Sequence, residues 1–113
     1  MEVSFEPGSR PGGVLATVVG DLDLYASVEF CNLIIGKMRE GFPRVALDVH
    51  GVSYLDSSGV GAIIRLVQLS RALGGGIALI GLNGTPRKVL EMSNIVSLVK
   101  LFADKPLALA EWC

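Results

Sequence analysis

Short runs of branched apolar residues alternate along this chain with longer stretches in which apolar residues recur every three to four positions. The first pattern suits a strand and the second an amphipathic helix. Their alternation constrains the fold more than any other feature, because strands joined through helices lie parallel in a sheet that those helices cover. Arg44 to Val49 and Ile77 to Ile80 are strand-type runs of this kind. At the start, Val3 to Phe5 reads as a short edge strand, and the turn residues of Pro7 to Gly13 fold it back as an antiparallel hairpin on Val14 to Val19.

The spacing of Val28, Cys31, Ile34, Ile35 and Met38 predicts a one-sided helix over Ser27 to Glu40, stopped by Gly41. Asp56-Ser57-Ser58-Gly59 stands directly before Val60, Ile63, Ile64 and Val67, so Asp or Ser caps a second helix there. A second apolar line on that helix, Ala62, Leu66, Leu69 and Leu73, lies roughly opposite the first. Either the two lines pack on the sheet and on a neighbouring helix, or part of this surface receives a partner protein. Gly74-Gly75-Gly76 ends the helix, and Thr85-Pro86 starts a short one that reaches Ser93. Asn94 then suits a left-handed position, Ile95 to Phe102 has room for a last strand, and Pro106 opens a final helix to Trp112. The fold predicted is α/β: a mixed sheet of four to five strands with an N-terminal antiparallel edge hairpin, parallel crossovers and about four helices. At 113 residues it is expected to form one domain.

Half of the residues are hydrophobic and the mean hydropathy is +0.54, which suits a large buried core and not a disordered chain. Ten Lys and Arg balance eleven Asp and Glu, with no basic run, so direct nucleic-acid binding is not expected. The longest uncharged stretch, Ala72 to Pro86, holds five glycines and does not suit a membrane span. No basic segment followed by an apolar one opens the sequence, which points to the cytoplasm. With Cys31, Cys113 and His50 as the only cysteines and histidine, no metal set and no nucleophile-base pair is expected. Cys31 reads as a small buried hydrophobe, Cys113 as a frayed terminal thiol and His50 as a loop residue. Asp21-Leu22-Asp23 lacks the later ligands of a calcium loop, and Gly81 to Lys88 is not a phosphate-binding loop, so no cofactor is implied. Asn83-Gly84-Thr85 has the spacing of a glycosylation acceptor, but a cytoplasmic chain would not meet that machinery.

Two segments follow strands and reach the rim where chemistry gathers in such sheets: Gly20-Asp21-Leu22-Asp23-Leu24-Tyr25 and Leu55-Asp56-Ser57-Ser58-Gly59-Val60-Gly61. Together with Gly74-Gly75, Pro86 and Met92-Ser93, they resemble the STAS domain of bacterial anti-sigma factor antagonists over nearly the whole chain. Asn94 stands where that family often has Gly, and Asn is the next best residue for a left-handed position. The resemblance implies that Ser57 accepts a phosphoryl group, with Ser58 as its neighbour. It also implies a non-enzymatic switch. The unphosphorylated form would bind an anti-sigma factor that is itself a serine kinase, phosphorylation would release it, and a metal-dependent serine phosphatase would reset the system.

ATP and metal would belong to those partners. Asp21, Asp23, Asp56, Ser57, Ser58 and Gly59 form the expected partner-binding set, with Gly59 and Gly61 admitting a partner backbone. Asp21 and Asp23 read equally as solvated turn carboxylates or as part of docking, and Ser57 and Ser58 alone would read as caps. A helix N-terminus can hold a phosphate, which adds about −1.5 to −2 charges. The alternative within the family is a non-catalytic scaffold subunit of a stressosome-like or lipid-transport complex. An enzyme built on the rim carboxylates is disfavoured, because no His, Lys or Cys stands beside them in the motif.

Overall fold

A computed structural model describes residues 1–113. Five strands, β1 (Glu2–Pro7), β2 (Gly13–Val19), β3 (Arg44–Gly51), β4 (Gly76–Ile80) and β5 (Lys100–Phe102), form one sheet in sequence order. β1 and β2 pair antiparallel, and every other neighbouring pair is parallel. Helices α1 (Leu24–Arg39), α2 (Ser57–Ala72) and α3 (Gly84–Met92) provide the parallel crossovers, a 3-10 turn at Ile95–Leu98 precedes β5, and α4 (Lys105–Glu111) follows it. The predicted edge hairpin, mixed sheet and helix count are all present.

Because side chains alternate across a strand, Val45, Leu47, Ile77 and Leu79 point to one face. There they pack with Phe30, Ile34, Ile63, Leu66 and Leu90 of the three crossover helices. Ala46, Ala78, Leu15 and Ile80 point to the other face, where small side chains let α4 lie close through Ala108. Both faces of the central strands are therefore dry, which is why they read as continuous apolar runs.

Several boundaries differ from the sequence reading. α1 begins at Leu24, not Ser27, because the Asp23 carboxylate accepts a hydrogen bond from the backbone N–H of Ala26 at 2.9 Å and caps the helix there. Its buried face is Ser27, Phe30, Cys31, Ile34, Ile35 and Met38, whereas Val28 is 61% exposed. In α2 the two apolar lines do not make two covered faces. The buried seam runs between them through Gly59, Ala62, Ile63, Leu66, Val67 and Ser70, and Leu73 is exposed. α3 starts at Gly84 after Asn83, so Thr85 lies inside it, and α4 starts at Lys105 with the Asp104 carboxylate as its cap. Asn94 takes the left-handed conformation expected of it, with φ of 57°.

Cys113 is buried, not frayed. The backbone N–H of Arg10 donates to its carbonyl, and the Arg10 guanidinium donates to the carbonyls of Ala110 and Glu111. Arg44 donates through Nε to the Trp112 carbonyl and its guanidinium stands 4.0 Å from the Trp112 ring centre, while the indole N–H donates to Val45. His50 lies within β3 and not in a loop, with Nδ1 at 2.5 Å from the buried carboxylate of Asp48.

Candidate functional site

The site grows out of the way β2 and β3 end. Their register slips between Thr17 and Val19, and the pairing then resumes beyond both strands in a lone parallel bridge between Leu22 and Leu55. The N–H of Gly20 donates to the Gly51 carbonyl and that of Leu22 to the Tyr54 carbonyl, at 3.1 and 2.9 Å. Two loops thus run side by side off the rim of the sheet. Leu22 and Leu55 turn into the core, and the next residue in each loop is an aspartate that caps a helix.

Asp56 does for α2 what Asp23 does for α1: its Oδ1 accepts from the N–H groups of Ser58 at 2.9 Å and Gly59 at 3.4 Å. Since the carboxylate fills the cap, neither serine hydroxyl is needed for it. Ser57 stands at the first helical position with its side chain exposed, and Ser58 is partly covered. Asp21 is exposed and accepts a hydrogen bond from the Ser53 hydroxyl at 3.1 Å, which ties the two loops once more. Asp21, Asp23, Asp56, Ser57 and Ser58 are therefore brought to one rim.

Gly59 is different. A Cβ built there would lie 2.8 Å from Leu55 Cγ and 3.0 Å from the Leu22 carbonyl oxygen. Its missing side chain lets α2 sit down on the two bridging leucines, so the expectation that it admits a partner backbone gives way to an internal packing role. Gly61, by contrast, has open space where a Cβ would go.

The electrostatics also refine the sequence reading. The N–H groups of Ser58 and Gly59 are already engaged by Asp56, so a dianion on Ser57 would meet a carboxylate where free helix donors were anticipated. A phosphate there would add charge to an acidic rim where two of the first-turn N–H groups are already taken.

Beside this rim lies a surface that sequence reasoning missed. Leu24 and Tyr25, the first two residues of α1, are 60% and 84% exposed, Val28 follows one turn later, and Tyr54 in the other loop is 46% exposed. Large apolar side chains left exposed near one another are a common mark of a protein-binding surface, and Leu24 and Val28 line one groove here. The signal was available in the sequence only as the Asp23 cap, which would have moved the helix start back to Leu24 and turned Leu24 and Tyr25 outward.

No helix is long and apolar enough to cross a membrane, and no group of three or more His, Cys, Asp or Glu side chains is arranged to hold a metal ion.

Comparison with known proteins agrees with this architecture. A family model described as the STAS domain matches residues 7–108. The anti-sigma F factor antagonist of Paenibacillus polymyxa is 24% identical over 116 residues, covering 98% of this chain and 96% of the relative. The structure of the anti-sigma factor antagonist SpoIIAA in its unphosphorylated form is similar with a TM-score of 0.80 and 23% identity, over 95% of this chain and 92% of that one. The Bacillus cell fate determinant SpoIIAA in the phosphorylated form gives 0.75 and 22%, over 96% and 97%. At such identities the two solved structures speak to the fold, and the family match carries the assignment. With nearly all of its length matched and its strand and helix order accounted for, the chain belongs to the STAS domain family.

Proposed function

We propose that this protein is an anti-sigma factor antagonist that works by partner exchange under the control of Ser57. In its unphosphorylated form it binds an anti-sigma factor that is also a serine kinase. Transfer of a phosphoryl group to Ser57 weakens that complex, and a metal-dependent serine phosphatase restores it. The nucleotide and the metal are held by those partners.

The observation that carries this reading is the exposed Ser57, left unspent by the cap, directly after the capping Asp56 and at the rim where the exposed Leu24 and Tyr25 begin α1. A phosphate there would place like charge beside the Asp56 carboxylate, which disfavours a partner that tolerated the neutral hydroxyl. The naming of the Paenibacillus polymyxa relative and the existence of a phosphorylated form of SpoIIAA support the same reading.

The test is incubation of the full chain with ATP and the serine-kinase anti-sigma factor encoded nearest to it. One added phosphoryl group by intact mass, absent in Ser57→Ala, is the expected result. An unmodified chain that co-purifies with a large assembly would instead favour a scaffold subunit.

A further inference from the structure

The chain holds Asn32, Asn83 and Asn94, all exposed, in three different settings. Asn32 lies in the middle of α1, where the N–H of the next residue is spent in the helix ladder. Asn94 takes the left-handed conformation and is followed by Ile95, whose branched, buried side chain crowds the peptide nitrogen. Asn83 is followed by Gly84, which brings no side chain at all.

What shields the other two amides from the neighbouring nitrogen is missing at Asn83. It precedes α3 without capping it, so its side chain is not spent on the helix. One hydrogen bond, from Nδ2 to the Gly81 carbonyl at 2.7 Å, holds that side chain. Gly84 is the first residue of α3, where an N–H has no partner within the helix. Its φ is 62°, and a Cβ there would meet nothing nearer than Pro86 Cδ at 4.0 Å, so the peptide between the two residues is uncrowded.

We propose that Asn83-Gly84 is a self-modification site, at which the chain converts an amide to a carboxylate without an enzyme. The Gly84 nitrogen attacks Asn83 Cγ and a nitrogen–carbon bond forms. The Cγ–Nδ2 bond breaks, and the Gly84 proton leaves with Nδ2 as ammonia. Solvent water then adds to one of the two carbonyls of the five-membered succinimide, and ring opening leaves an aspartyl or an isoaspartyl residue at position 83. Nucleophile and electrophile are neighbours in one chain, so the attack needs no pocket.

The product bears on the rim described above. β2, β3 and β4 run parallel, so the loop from Gly81 to Asn83 leaves the sheet at the same end as the loops of Asp21 and Asp56. A carboxylate there makes the formal charge of −1 one unit more negative. It also supplies the acidic group that the start of α3 lacks, where negative charge is favoured.

The test is storage of the full chain in warm, mildly alkaline buffer, then tryptic digestion and mass spectrometry, with an unstored sample digested in parallel. Cleavage after Arg71 and Arg87 yields peptide 72–87, in which Asn83 is the only asparagine and no glutamine occurs. This peptide is expected to gain the mass difference of an acid over an amide and to separate into aspartyl and isoaspartyl forms, while the peptides of Asn32 and Asn94 stay as they were. The bond to Gly81 should slow the folded chain by no more than about tenfold against the same chain in urea, since one neutral hydrogen bond is worth about that factor or less. Asn83→Gln keeps an exposed amide but would need a six-membered ring, so it should fold as the parent does by thermal unfolding and show no conversion over the same period. Conversion at Asn83 no faster than at Asn32 and Asn94, or conversion arrested by folding, overturns the proposal.

Discussion

Asp23 and Asp56 hold equivalent positions in two parallel loops: each follows one leucine of the Leu22–Leu55 bridge, and each caps the helix that its loop feeds. The bridge sets the two helix starts at one level, and the caps fix where each begins. The candidate acceptor, Ser57, is therefore held by backbone pairing and needs no bond of its own.

Removing either cap is expected to cost stability. Asp23→Ala and Asp56→Ala should each lower the unfolding free energy by about 1 kcal/mol, with a fall in Tm of roughly 4–8 °C for a chain of this size. Asp56→Asn keeps the cap and removes the charge, so it should restore most of that Tm. Equal Tm values for Asp56→Ala and Asp56→Asn would refute the capping role.

The two glycines of the α2 start should respond in opposite directions. Gly59→Ala places a Cβ against Leu55 and the Leu22 carbonyl, which is expected to cost about 1–3 kcal/mol as overpacking. Gly61→Ala meets nothing and should gain about 0.5–1 kcal/mol from helix propensity. Urea denaturation of the two variants beside the parent reads both signs.

Charge at the acceptor position separates the switch from a bland helix start. Ser57→Asp is expected to weaken kinase binding by about tenfold, or about 1.4 kcal/mol, whereas Ser57→Ala should preserve it. Equal affinities by calorimetry would remove the switch from the reading.

Burial raises the pKa of both thiols, only partly opposed by Arg65 at Cys31 and by Arg10 and Arg44 at Cys113. The folded chain therefore keeps these protons to a higher pH than the unfolded one does. Their contribution to stability is whole below the ordinary thiol pKa and is lost as pH rises through it toward the folded values. The urea midpoint should fall between about pH 7 and about pH 10, and by less in a Cys31→Ala/Cys113→Ala variant. An equal fall in both would show that other groups govern it.

Ser27→Ala deletes the unpaired buried hydroxyl. It should leave stability unchanged or raise it, by up to about 1–3 kcal/mol, since the penalty of an unmet polar group goes with it. A clear loss of stability would mean that the hydroxyl is satisfied in the folded protein.

The alternation of strand-type and helix-type runs was enough to read the sheet, its hairpin and the crossovers, because burial on both faces leaves a continuous apolar signature. The start of α1 escaped because Leu24 and Tyr25 are apolar yet face outward, so the inward periodicity begins only at Ser27. Val28 was misplaced for the same reason, since apolarity does not say which side is covered. The helix start at Asp56-Ser57 was legible through local spacing, and a role for Ser57 came only with the family resemblance, whereas the packing role of Gly59 depends on Leu22, far away in sequence and brought close by the loop bridge. Cys113 looked free because the groups that enclose it, from Arg10 onward, lie at the opposite end of the chain.

The borders of the sheet carry a last consequence. β1 ends in Pro7, which has no N–H to offer, and a second copy docked antiparallel about Ser4 would set Glu2 against Glu6 twice. On the other border β5 is three residues long, with Lys100 at its head. Self-polymerisation through strands is thereby discouraged at both borders, so the sheet stays a closed unit even where copies are concentrated.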